Sequence, residues 1–299
     1  MQMMRVFLKQ KYLYLMVLPG LILVFIFKYL PMYGVIIAFK DYNVFAGVFE
    51  SKWVGLRWFR LFLDNPMALR VFKNTLLLGL YNLVFAFPLP IILALLLNEL
   101  KIEWIKRTIQ SITYLPYFIS VIIIVGMLKE LASLNGLFNQ VLSLFNIEAM
   151  NFFGRPEFFR TLFIGSGIWQ NLGWGTILYL AALTNIDPAL YEAAHMDGAG
   201  RFRKIVHITL PGMAGTIVIL LILAIGNMLE ADFQRVLLMY NPVIYSTADI
   251  VGTYVYREGL ESARFSYATA VGLMVSVISF VLLLAVNQIS RRYSENSLW

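Results

Sequence analysis

Six long apolar stretches constrain the fold of this chain more than any other feature of its sequence. They lie near residues 12–38, 71–98, 109–128, 159–184, 212–229 and 265–289. Each is about 18 residues or longer, and a helix of that length, at about 1.5 Å rise per residue, crosses about 30 Å of hydrocarbon. The stretches therefore predict an all-α membrane protein with six transmembrane helices, in which residues 1–299 form a single transmembrane domain.

The composition supports a membrane protein over a soluble helical one. Hydrophobic residues make up 60% of the chain and charged residues 14%, and the mean hydropathy of +0.74 exceeds what a soluble core requires. Helices of a soluble protein would carry polar faces, which the run from Leu76 to Leu97 almost lacks. The first apolar stretch is too long for a signal peptide and has no small-residue cleavage site, so we expect it to be retained.

The motifs of the common enzyme classes are missing from the sequence. There is no cysteine, and no lysine directly follows a glycine, which excludes the Gly-rich loop that cradles nucleotide phosphates. No zinc-binding His-Glu-x-x-His pattern or Gly-x-Ser-x-Gly elbow occurs, and both histidines, His195 and His207, lie in one polar stretch. We therefore expect no catalytic residue, metal site or cofactor in this chain.

The distribution of basic residues predicts the orientation of the chain. An even number of spans places both termini on one side, together with residues 99–108 and 185–211. Basic residues in these segments are Arg5, Lys9, Lys11, Lys101, Lys106, Arg107, Arg201, Arg203, Lys204, Arg291 and Arg292. The opposite loops hold a similar number at lower density, so the positive-inside rule favours cytoplasmic termini.

A polar segment between the fourth and fifth apolar stretches has strong local signals. Asp187 can cap a helix that begins at Pro188, where the missing N–H costs nothing, and Asp197 with Gly198 supplies the turn that ends it. These residues predict a short helix outside the membrane. A second helix is expected to follow Gly200 and to lead into the fifth span.

The second helix is amphipathic. Phe202, Val206 and Leu210 recur every four residues, and Pro211 follows them. One interpretation is an ordinary connector that lies at the headgroups, with the basic residues of "RFRK" toward lipid phosphates. The other is a docking element for a cytoplasmic partner. These features alone leave both interpretations open.

The order of residues in this segment favours the docking element. The pattern consists of Glu192, Ala193, Ala194, Asp197, Gly198, Ala199, Phe202, Ile208, Leu210 and Pro211. It closely resembles the "EAA" loop of binding-protein-dependent ABC importer permeases. The segment "WVGLRWFRLFLDNPMALRVFKNTL" is similar to the region before the second helix in sugar-importer permeases. The opening "YLMVLPGLILVFIFKYLPMYGVIIAFKDYN" is similar to the subgroup that handles oligosaccharides from complex polysaccharides.

This resemblance implies a fold like that of type I ABC importer permeases, with a cytoplasmic coupling-helix loop at 185–211. The short helix from Pro188 would sit in a groove on an ATPase subunit, where Glu192 makes a contact and Gly198 sets the angle to the next helix. The alternative is that Gly198 only ends a helix. The implied ATPase-coupling residues are Glu192, Ala193, Ala194, Asp197, Gly198, Ala199, Phe202 and Pro211.

The resemblance also implies partners and an activity. The chain would import a sugar or oligosaccharide across the cytoplasmic membrane by alternating access. Its partners would be a similar but distinct second permease, two ATPase subunits that bind ATP and Mg, an extracytoplasmic sugar-binding protein and membrane lipid. The net charge of +7 is ordinary for loops near anionic lipid and gives no reason to expect nucleic acid.

Two other classes of function remain open on the residues alone. A secondary transporter that works without an ATPase would show inverted repeats or buried charge pairs in mid-membrane, and the sequence shows neither clearly. A membrane scaffold or sensor would use the polar segment to dock a regulator instead of an ATPase.

Polar residues at membrane depth mark the expected transport path, because a polar side chain that faces lipid is costly. The fourth span reads "GSGIWQNLGWGTILYL", and the fifth ends "IGNMLEADFQ". The candidate residues are Trp169, Gln170, Asn171, Trp174, Asn227, Glu230 and Asp232. Amides and carboxylates bind sugar hydroxyls, and tryptophan faces pack on pyranose rings. The alternative is that the aromatic residues belong to the membrane interface and that the neighbouring glycines pack helices.

Two further features carry weaker expectations. Tyr114 and Tyr117 flank Pro116, which predicts a kink in the third span. The segment from Trp53 to Leu63 is either an amphipathic helix on the outer membrane surface or part of the docking face for a soluble receptor.

Overall fold

The computed structural model describes residues 11–293, which form two compact units. One unit contains residues 11–64 and 255–274, and the other contains residues 65–254 and 275–293. The positions of Arg5 and Lys9, which contribute to the expected orientation, lie outside the described residues.

The described chain is predominantly helical. Its α-helices are α1 (Lys11–Val24), α2 (Leu30–Met32), α3 (Gly47–Glu50), α4 (Arg57–Leu63), α5 (Pro66–Tyr81), α6 (Pro88–Glu99), α7 (Glu103–Tyr114), α8 (Val121–Leu131), α9 (Leu137–Ser143), α10 (Pro156–Leu183), α11 (Pro188–Met196), α12 (Arg201–Lys204), α13 (Leu210–Gly226), α14 (Phe233–Met239), α15 (Tyr245–Ala248), α16 (Val251–Tyr256) and α17 (Phe265–Tyr293). The 3₁₀ segments are Tyr33–Phe39, Leu115–Phe118, Phe152–Gly154 and Pro242–Ile244. The π-helical turns are Phe25–Tyr29, Asn82–Ala86, Ile205–Thr209 and Arg257–Glu261.

The first unit combines the N-terminal helices with a short two-stranded sheet and α4. Strands β1 (Lys40–Asn43) and β2 (Ser51–Trp53) pair antiparallel, and α4 follows them. Trp58 on α4 donates its indole N–H to the Lys40 carbonyl at 2.9 Å. The rings of Trp58 and Phe62 both meet Tyr267 edge to face. These aromatic contacts fix α4 against the start of α17.

The second unit is built around α10, a 28-residue helix. Its N-terminal part contributes Phe159, Phe163 and Ile164 to an apolar cluster that also contains Leu78, Val125, Val236, Met239, Ile244, Ala248 and Ile250. Its other end forms a second cluster with Ala94, Tyr179, Ala182, Leu183 and Met213. Gly173 lets α7 approach closely, because an added Cβ would overlap the backbone carbonyl of Thr113. Helix packing is therefore the role of this glycine.

Four helices of the described chain are long and apolar enough to cross a membrane: Tyr12–Phe39, Pro66–Glu99, Arg201–Gly226 and Phe265–Arg292. A bent pair, Glu103–Phe118 and Val121–Leu131, would make a fifth. The predicted fourth span corresponds to α10, which is about 42 Å long at about 1.5 Å per residue but is not among these apolar helices. Its polar residues lower its hydropathy, and the count of six therefore stays a prediction.

The third apolar stretch is not the single straight span 109–128 that the sequence predicts. The chain bends by 99° between Phe118 and Val121. Pro116 lies in the 3₁₀ segment before the bend, and Ser120 caps the next helix by accepting from the Ile122 N–H at 3.2 Å. Pro116 has no N–H to continue the helix, and Ser120 starts a new one. The break in the helix expected at Pro116 is confirmed, and its angle of 99° is a sharp bend that divides the stretch into two helices.

Three of the four π-helical turns in the described chain end two residues before a proline. Leu30, Phe87 and Leu210 each donate their N–H to the carbonyl five residues earlier. Each is followed by proline, at positions 31, 88 and 211. Proline inside an α-helix clashes with the carbonyl four residues earlier. The wider turn moves that carbonyl aside, so each of these helices continues through its proline.

The fifth span begins and ends earlier than the predicted 212–229. One helix runs continuously over Arg201–Gly226, because the π turn Ile205–Thr209 accommodates Pro211. The expected loop 185–211 therefore ends at Gly200 and not at Pro211. At the other end, Asn227 caps the helix, so Glu230 and Asp232 lie in the turn that follows it.

Candidate functional site

A polar cleft lies where three parts of the second unit meet. One cavity, of about 220 Å³, is lined by Asn82, Ala86, Pro90, Phe163, Gly167, Ile168, Asn171, Leu172, Asp232 and Arg235. A second, of about 400 Å³, is lined by Gly79, Asn82, Leu83, Ala86, Phe87, Ala224, Asn227, Met228, Glu230, Ala231 and Asp232. The two share Asn82, Ala86 and Asp232, and we call them together the cleft.

Most polar side chains of the cleft are positioned by an irregular piece of backbone or by α10, and Arg235 lies on α14. Asn82 begins the π turn in the middle of Pro66–Glu99. Asn227 caps the end of the helix Arg201–Gly226. Asp232 has a left-handed backbone, with φ of 40°, and caps α14. Asn171 is exposed on α10 and donates to the Gly167 carbonyl at 2.9 Å.

The end of the fifth span carries unusual backbone strain. Ala231 and Asp232 both have positive φ, at 43° and 40°. Residues other than glycine rarely adopt this conformation, and it costs about 1–2 kcal/mol per residue. The strain lies in the turn that brings Asp232 to the cleft, so the packing around this turn holds it in place.

Arg235 is the most deeply buried charged group at this site, with 1% of its side chain exposed. Its Nε donates to Asp232 Oδ2 at 2.8 Å. Its Nη1 donates to Ser166 Oγ at 3.2 Å, and its Nη2 donates to Gln170 Oε1 at 2.5 Å. A buried charge is tolerated only when it is paired and hydrogen-bonded, and these three bonds meet that requirement.

The same network reaches the bend of the third stretch. Gln170 accepts from Arg235 and donates its Nε2 to the Ile119 carbonyl at 2.8 Å. Ile119 lies between the two arms of the bent pair and has extended backbone, so its carbonyl is free of the helical ladder. A single amide side chain thus ties α10, the bend and the buried arginine together.

The segment predicted to be a short helix outside the membrane is α11. Asp187 accepts from the Ala189 N–H at 2.9 Å, and Pro188 begins the helix. Asp197 caps the C-terminal end, and Gly198 has a left-handed φ of 72°. The expected helix and both of its end signals are confirmed.

The residues of the "EAA" pattern are mostly open to contact. Glu192, Ala193, Asp197, Gly198, Phe202 and Pro211 are exposed, and Ala194 and Ala199 are half-buried. Phe202 is 79% exposed. An exposed phenylalanine beside small residues and carboxylates is a surface that suits a partner.

One contact joins α11 to the helix Arg201–Gly226, and an ion pair joins the start of that helix to α6. Tyr191 Oη lies 3.0 Å from Thr209 Oγ1 in the π turn of Arg201–Gly226. Arg201 Nε lies 4.0 Å from Glu99 Oε2, at the end of α6. The Arg201 pair is exposed and contributes little, whereas Thr209 is buried.

Comparison with known proteins decides the family. Residues 68–295 match the family of binding-protein-dependent transport system inner membrane components. The chain belongs to this family. The permease is also 45% identical over 293 residues to the polygalacturonan/rhamnogalacturonan transport system permease protein YteP of Bacillus subtilis (strain 168), which covers 98% of this chain and 91% of that protein. Protein LplB of the same organism is 45% identical over 292 residues, or 97% of this chain and 92% of that one.

Solved structures share the fold over the whole length. The permease resembles a chain in the crystal structure of a bacterial ABC transporter involved in the import of the acidic polysaccharide alginate, with a TM-score of 0.90, 39% identity and coverage of 98% of this chain and 99% of that one. A chain of the bacterial alginate ABC transporter in complex with an alginate pentasaccharide-bound periplasmic protein gives a TM-score of 0.91 at 38% identity, with both chains fully covered.

These comparisons confirm the resemblance found in the sequence. The chain is a permease subunit of an ABC importer and an integral inner membrane component. The ATPase is a separate subunit. Because the family consists of transport permeases, the expectation that the chain is not an enzyme is confirmed. A secondary transporter would also show a charge pair such as Arg235–Asp232. The family assignment decides for an ABC importer permease and against a secondary transporter.

The structure separates the seven residues predicted to line the transport path. Asn171, Asn227, Glu230 and Asp232 all lie at the cleft. Gln170 does not line it, because its side chain is buried against Arg235. The two tryptophans lie outside the cleft lining, Trp169 at another cavity and Trp174 against Tyr117.

Trp169 and Trp174 of the permease have apolar surroundings. Trp169 lines a separate cavity of about 470 Å³ with Ile124, Met127, Leu128, Leu131, Phe138, Thr161, Leu162, Gly165 and Ser166. Trp174 stacks on Tyr117, with ring centroids 4.4 Å apart and planes 4° from parallel. Neither ring is among those that line the cleft, so a stacking role toward a sugar has no support from the geometry.

Two polar residues of the cleft are absent from the sequence-based prediction. Asn82 is an isolated amide in an apolar run, three residues after Gly79, and it lies six residues before Pro88. Arg235 follows Asp232 by three residues, the spacing of a helical ion pair. The isolated amide and the i, i+3 spacing can both be seen in the sequence, but only the fold shows that Asn82 and Arg235 line the same cavity.

Proposed function

We propose that this permease moves an oligosaccharide across the cytoplasmic membrane by alternating access, driven by ATP hydrolysis in partner subunits. The observation that carries the proposal is the course of one helix. Arg201–Gly226 begins immediately after the turn that follows α11 and ends at Asn227 in the cleft. At about 1.5 Å per residue it is about 39 Å long. A push on α11 would therefore be delivered directly to the cleft.

The coupling role falls on α11, which we name the coupling helix in this proposal. It is capped at both ends, and its exposed face includes Glu192 and Ala193. An ATPase groove would hold this face, and Gly198 would set the angle at which the movement enters the long helix. The half-buried Ala194 and Ala199 leave room for a close approach to neighbouring backbone.

The topology that suits this role has six spans with both termini in the cytoplasm. It counts the bent pair as the third span and α10 as the fourth, although α10 is polar in its middle. Ser166 and Gln170 are buried there and bonded to Arg235, so these two polar groups are satisfied within the protein, and the exposed Asn171 lines the cleft.

The proposed substrate class comes from the cleft together with the relatives. The cleft offers three amides, Asn82, Asn171 and Asn227, and two carboxylates, Glu230 and Asp232, which suit sugar hydroxyls. YteP is named for polygalacturonan and rhamnogalacturonan transport, and the solved neighbours belong to an importer of alginate. An oligosaccharide cut from such a polysaccharide is the ligand that we propose.

The proposed assembly has a second, distinct permease, two ATPase subunits that bind ATP and Mg, and an extracytoplasmic sugar-binding protein. One solved neighbour is in complex with a pentasaccharide-bound periplasmic protein, which supports the last of these. The permease itself would hold no cofactor.

Reconstitution of the complete assembly in liposomes tests the proposal. Labelled oligomers from polygalacturonan, rhamnogalacturonan and alginate are offered with the binding protein outside, and ATP is supplied on the ATPase side. We expect uptake of at least one oligomer only with ATP and the binding protein. Uptake driven by an ion gradient through the permease alone, or no uptake of any oligomer, would contradict the proposal.

A further inference from the structure

The Arg235–Asp232 pair at the cleft is built so that one partner is hidden and the other is open. Arg235 has 1% of its side chain exposed, whereas Asp232 has 37%. Asp232 lines both cavities of the cleft. Arg235 also lines the smaller cavity, but only Asp232 is partly exposed, so the carboxylate is the partner that a ligand in the cleft can reach.

Both carboxylate oxygens of Asp232 are held by Arg235 itself. Oδ1 accepts from the Arg235 backbone N–H at 3.3 Å, and Oδ2 accepts from Arg235 Nε at 2.8 Å. An ionised carboxylate has about four lone-pair sites, so each oxygen retains acceptor capacity after these bonds. The two bonds leave the carboxylate little freedom to rotate.

The rest of the guanidinium is fixed from a second direction. Ser166 Oγ donates to the Phe163 carbonyl at 3.0 Å and so offers a lone pair to Arg235 Nη1. Gln170 donates to the Ile119 carbonyl and so must turn its oxygen toward Arg235 Nη2. The donor bonds of Ser166 and Gln170 thus set the direction of the arginine, and the arginine sets the direction of Asp232.

We propose that Asp232 is a specificity-determining acceptor for a pair of neighbouring hydroxyl groups on the passing sugar, and that Arg235 is the positioning residue that fixes and charge-balances it. This inference rests on the proposed function, because it assumes that a sugar passes through the cleft. A carboxylate with both oxygens fixed accepts two O–H donors at a defined spacing, as adjacent ring hydroxyls provide. Asn82, which lines both cavities beside Asp232, would supply a further polar contact.

Stability alone does not account for the Arg235–Asp232 pair. An Arg–carboxylate pair in a protein interior is often no more stabilising than apolar residues of similar volume. The turn that carries Asp232 also has positive φ at both Ala231 and Asp232. A carboxylate that binds ligand explains why this strained turn presents Asp232 to the cleft.

The test is oligomer uptake by the complete reconstituted transporter, with trigalacturonate and an alginate trimer as probes. Asp232→Asn, Arg235→Met and Arg235→Lys are compared with the wild type, and the KM and maximal rate of uptake are measured separately. Asp232→Asn and Arg235→Met are expected to raise the KM on the order of tenfold or more, as loss of a charge-assisted hydrogen bond does. Arg235→Lys retains the charge and is expected to recover part of the affinity.

Two variants separate ligand binding from folding. The double variant Arg235→Met with Asp232→Leu replaces the pair by apolar side chains, so it is expected to assemble normally and still show the raised KM. Arg107→Met removes an arginine that is 79% exposed and pairs with Glu103 at 4.0 Å, and it is expected to match the wild type.

The outcomes distinguish this inference from the proposed function. If the wild type takes up neither trimer nor any other oligomer, both fall together. If the wild type transports and Arg235→Met, at normal assembly, has the KM of Arg107→Met, the inference alone is overturned. A raised KM in Arg235→Met that vanishes in the Asp232→Asn background supports it, because the arginine then acts through the carboxylate.

Discussion

Tyr191 Oη and Thr209 Oγ1 lie 3.0 Å apart, and this contact joins the coupling helix to the π turn of the long helix. Thr209 is 2% exposed, and its hydroxyl also lies 3.4 Å from the Lys204 carbonyl. The proline that makes the π turn necessary, Pro211, follows two residues later. The coupling helix is therefore attached at the point where the long helix departs from α-helical geometry.

Loss of this hydrogen bond is expected to loosen the coupling. Tyr191→Phe removes one hydroxyl and retains the ring, which costs about 1 kcal/mol of local stability. We expect less sugar taken up per ATP hydrolysed, with ATPase attachment retained, as measured by uptake and phosphate release in the same liposomes. Tyr29→Phe makes the same change on the exposed first span and is the control. An unchanged ratio in Tyr191→Phe would show that the contact carries no movement.

The turn after the coupling helix is expected to depend on its glycine. Gly198 has φ of 72°, so Gly198→Val forces a β-branched residue into the left-handed region at a cost of about 1–2 kcal/mol or more. We expect a sharp loss of ATP-dependent uptake. Gly200→Val is the matched control, because Gly200 has φ of −70° and open space around it. Equal uptake in the two variants would mean that Gly198 has no special role.

The contact to the ATPase is expected to need the charge of Glu192. This residue is exposed, so Glu192→Lys should leave the fold intact while it reverses the charge at the interface. We predict that the ATPase no longer copurifies with the permease. Glu148→Lys, at another exposed position, provides the comparison and should keep the ATPase. Copurification that survives Glu192→Lys would argue against this contact.

Substitution of Asn227 in the cleft and of Trp174 outside it is expected to change different properties of the permease. Asn227→Leu removes an amide that lines the cleft and should raise the KM for uptake without loss of protein. Trp174→Ala removes the stack on Tyr117 and should lower stability by about 1 kcal/mol, because the indole ring is 44% exposed and the main loss is the aromatic pair. Uptake kinetics and thermal unfolding of the purified complex report the two effects. Unchanged KM and selectivity in Asn227→Leu would mean that the cleft is not the path.

The coupling segment was predictable because its signals are local. Asp187 and Pro188 define the start of α11 within two residues, and Gly198 defines its end. Capping and turn chemistry depend on near neighbours only, so no knowledge of the fold is needed. The same holds for the bend at Pro116, although its 99° angle depends on what packs around it.

The cleft was predictable only in part because its contacts are distant in sequence. Asn171, Asn227, Glu230 and Asp232 are polar residues in apolar surroundings, which a sequence shows directly. Arg235 meets Ser166 and Gln170, which lie 69 and 65 residues away. A polar stripe on α10 looks the same whether its members face a ligand or a buried arginine, and only tertiary packing distinguishes the two.

The ends of the fifth span illustrate a different limit. The sequence analysis places the start of the fifth span at residue 212, directly after Pro211. The π turn Ile205–Thr209 lets the helix pass through it instead. The same pairing of π turn and proline recurs at Pro31 and Pro88, so it is a regular device of this chain.

Site-directed cross-linking between the coupling helix and the ATPase tests the central claim most directly. The chain has no cysteine, so a single Met196→Cys, at a side chain that is 87% exposed, gives an unambiguous site. In the assembled transporter we predict a cross-link from this position to an ATPase subunit, with a yield that changes when ATP binds, and none from Glu148→Cys. A fully active transporter in which positions 188–200 cross-link to no ATPase subunit would contradict the account.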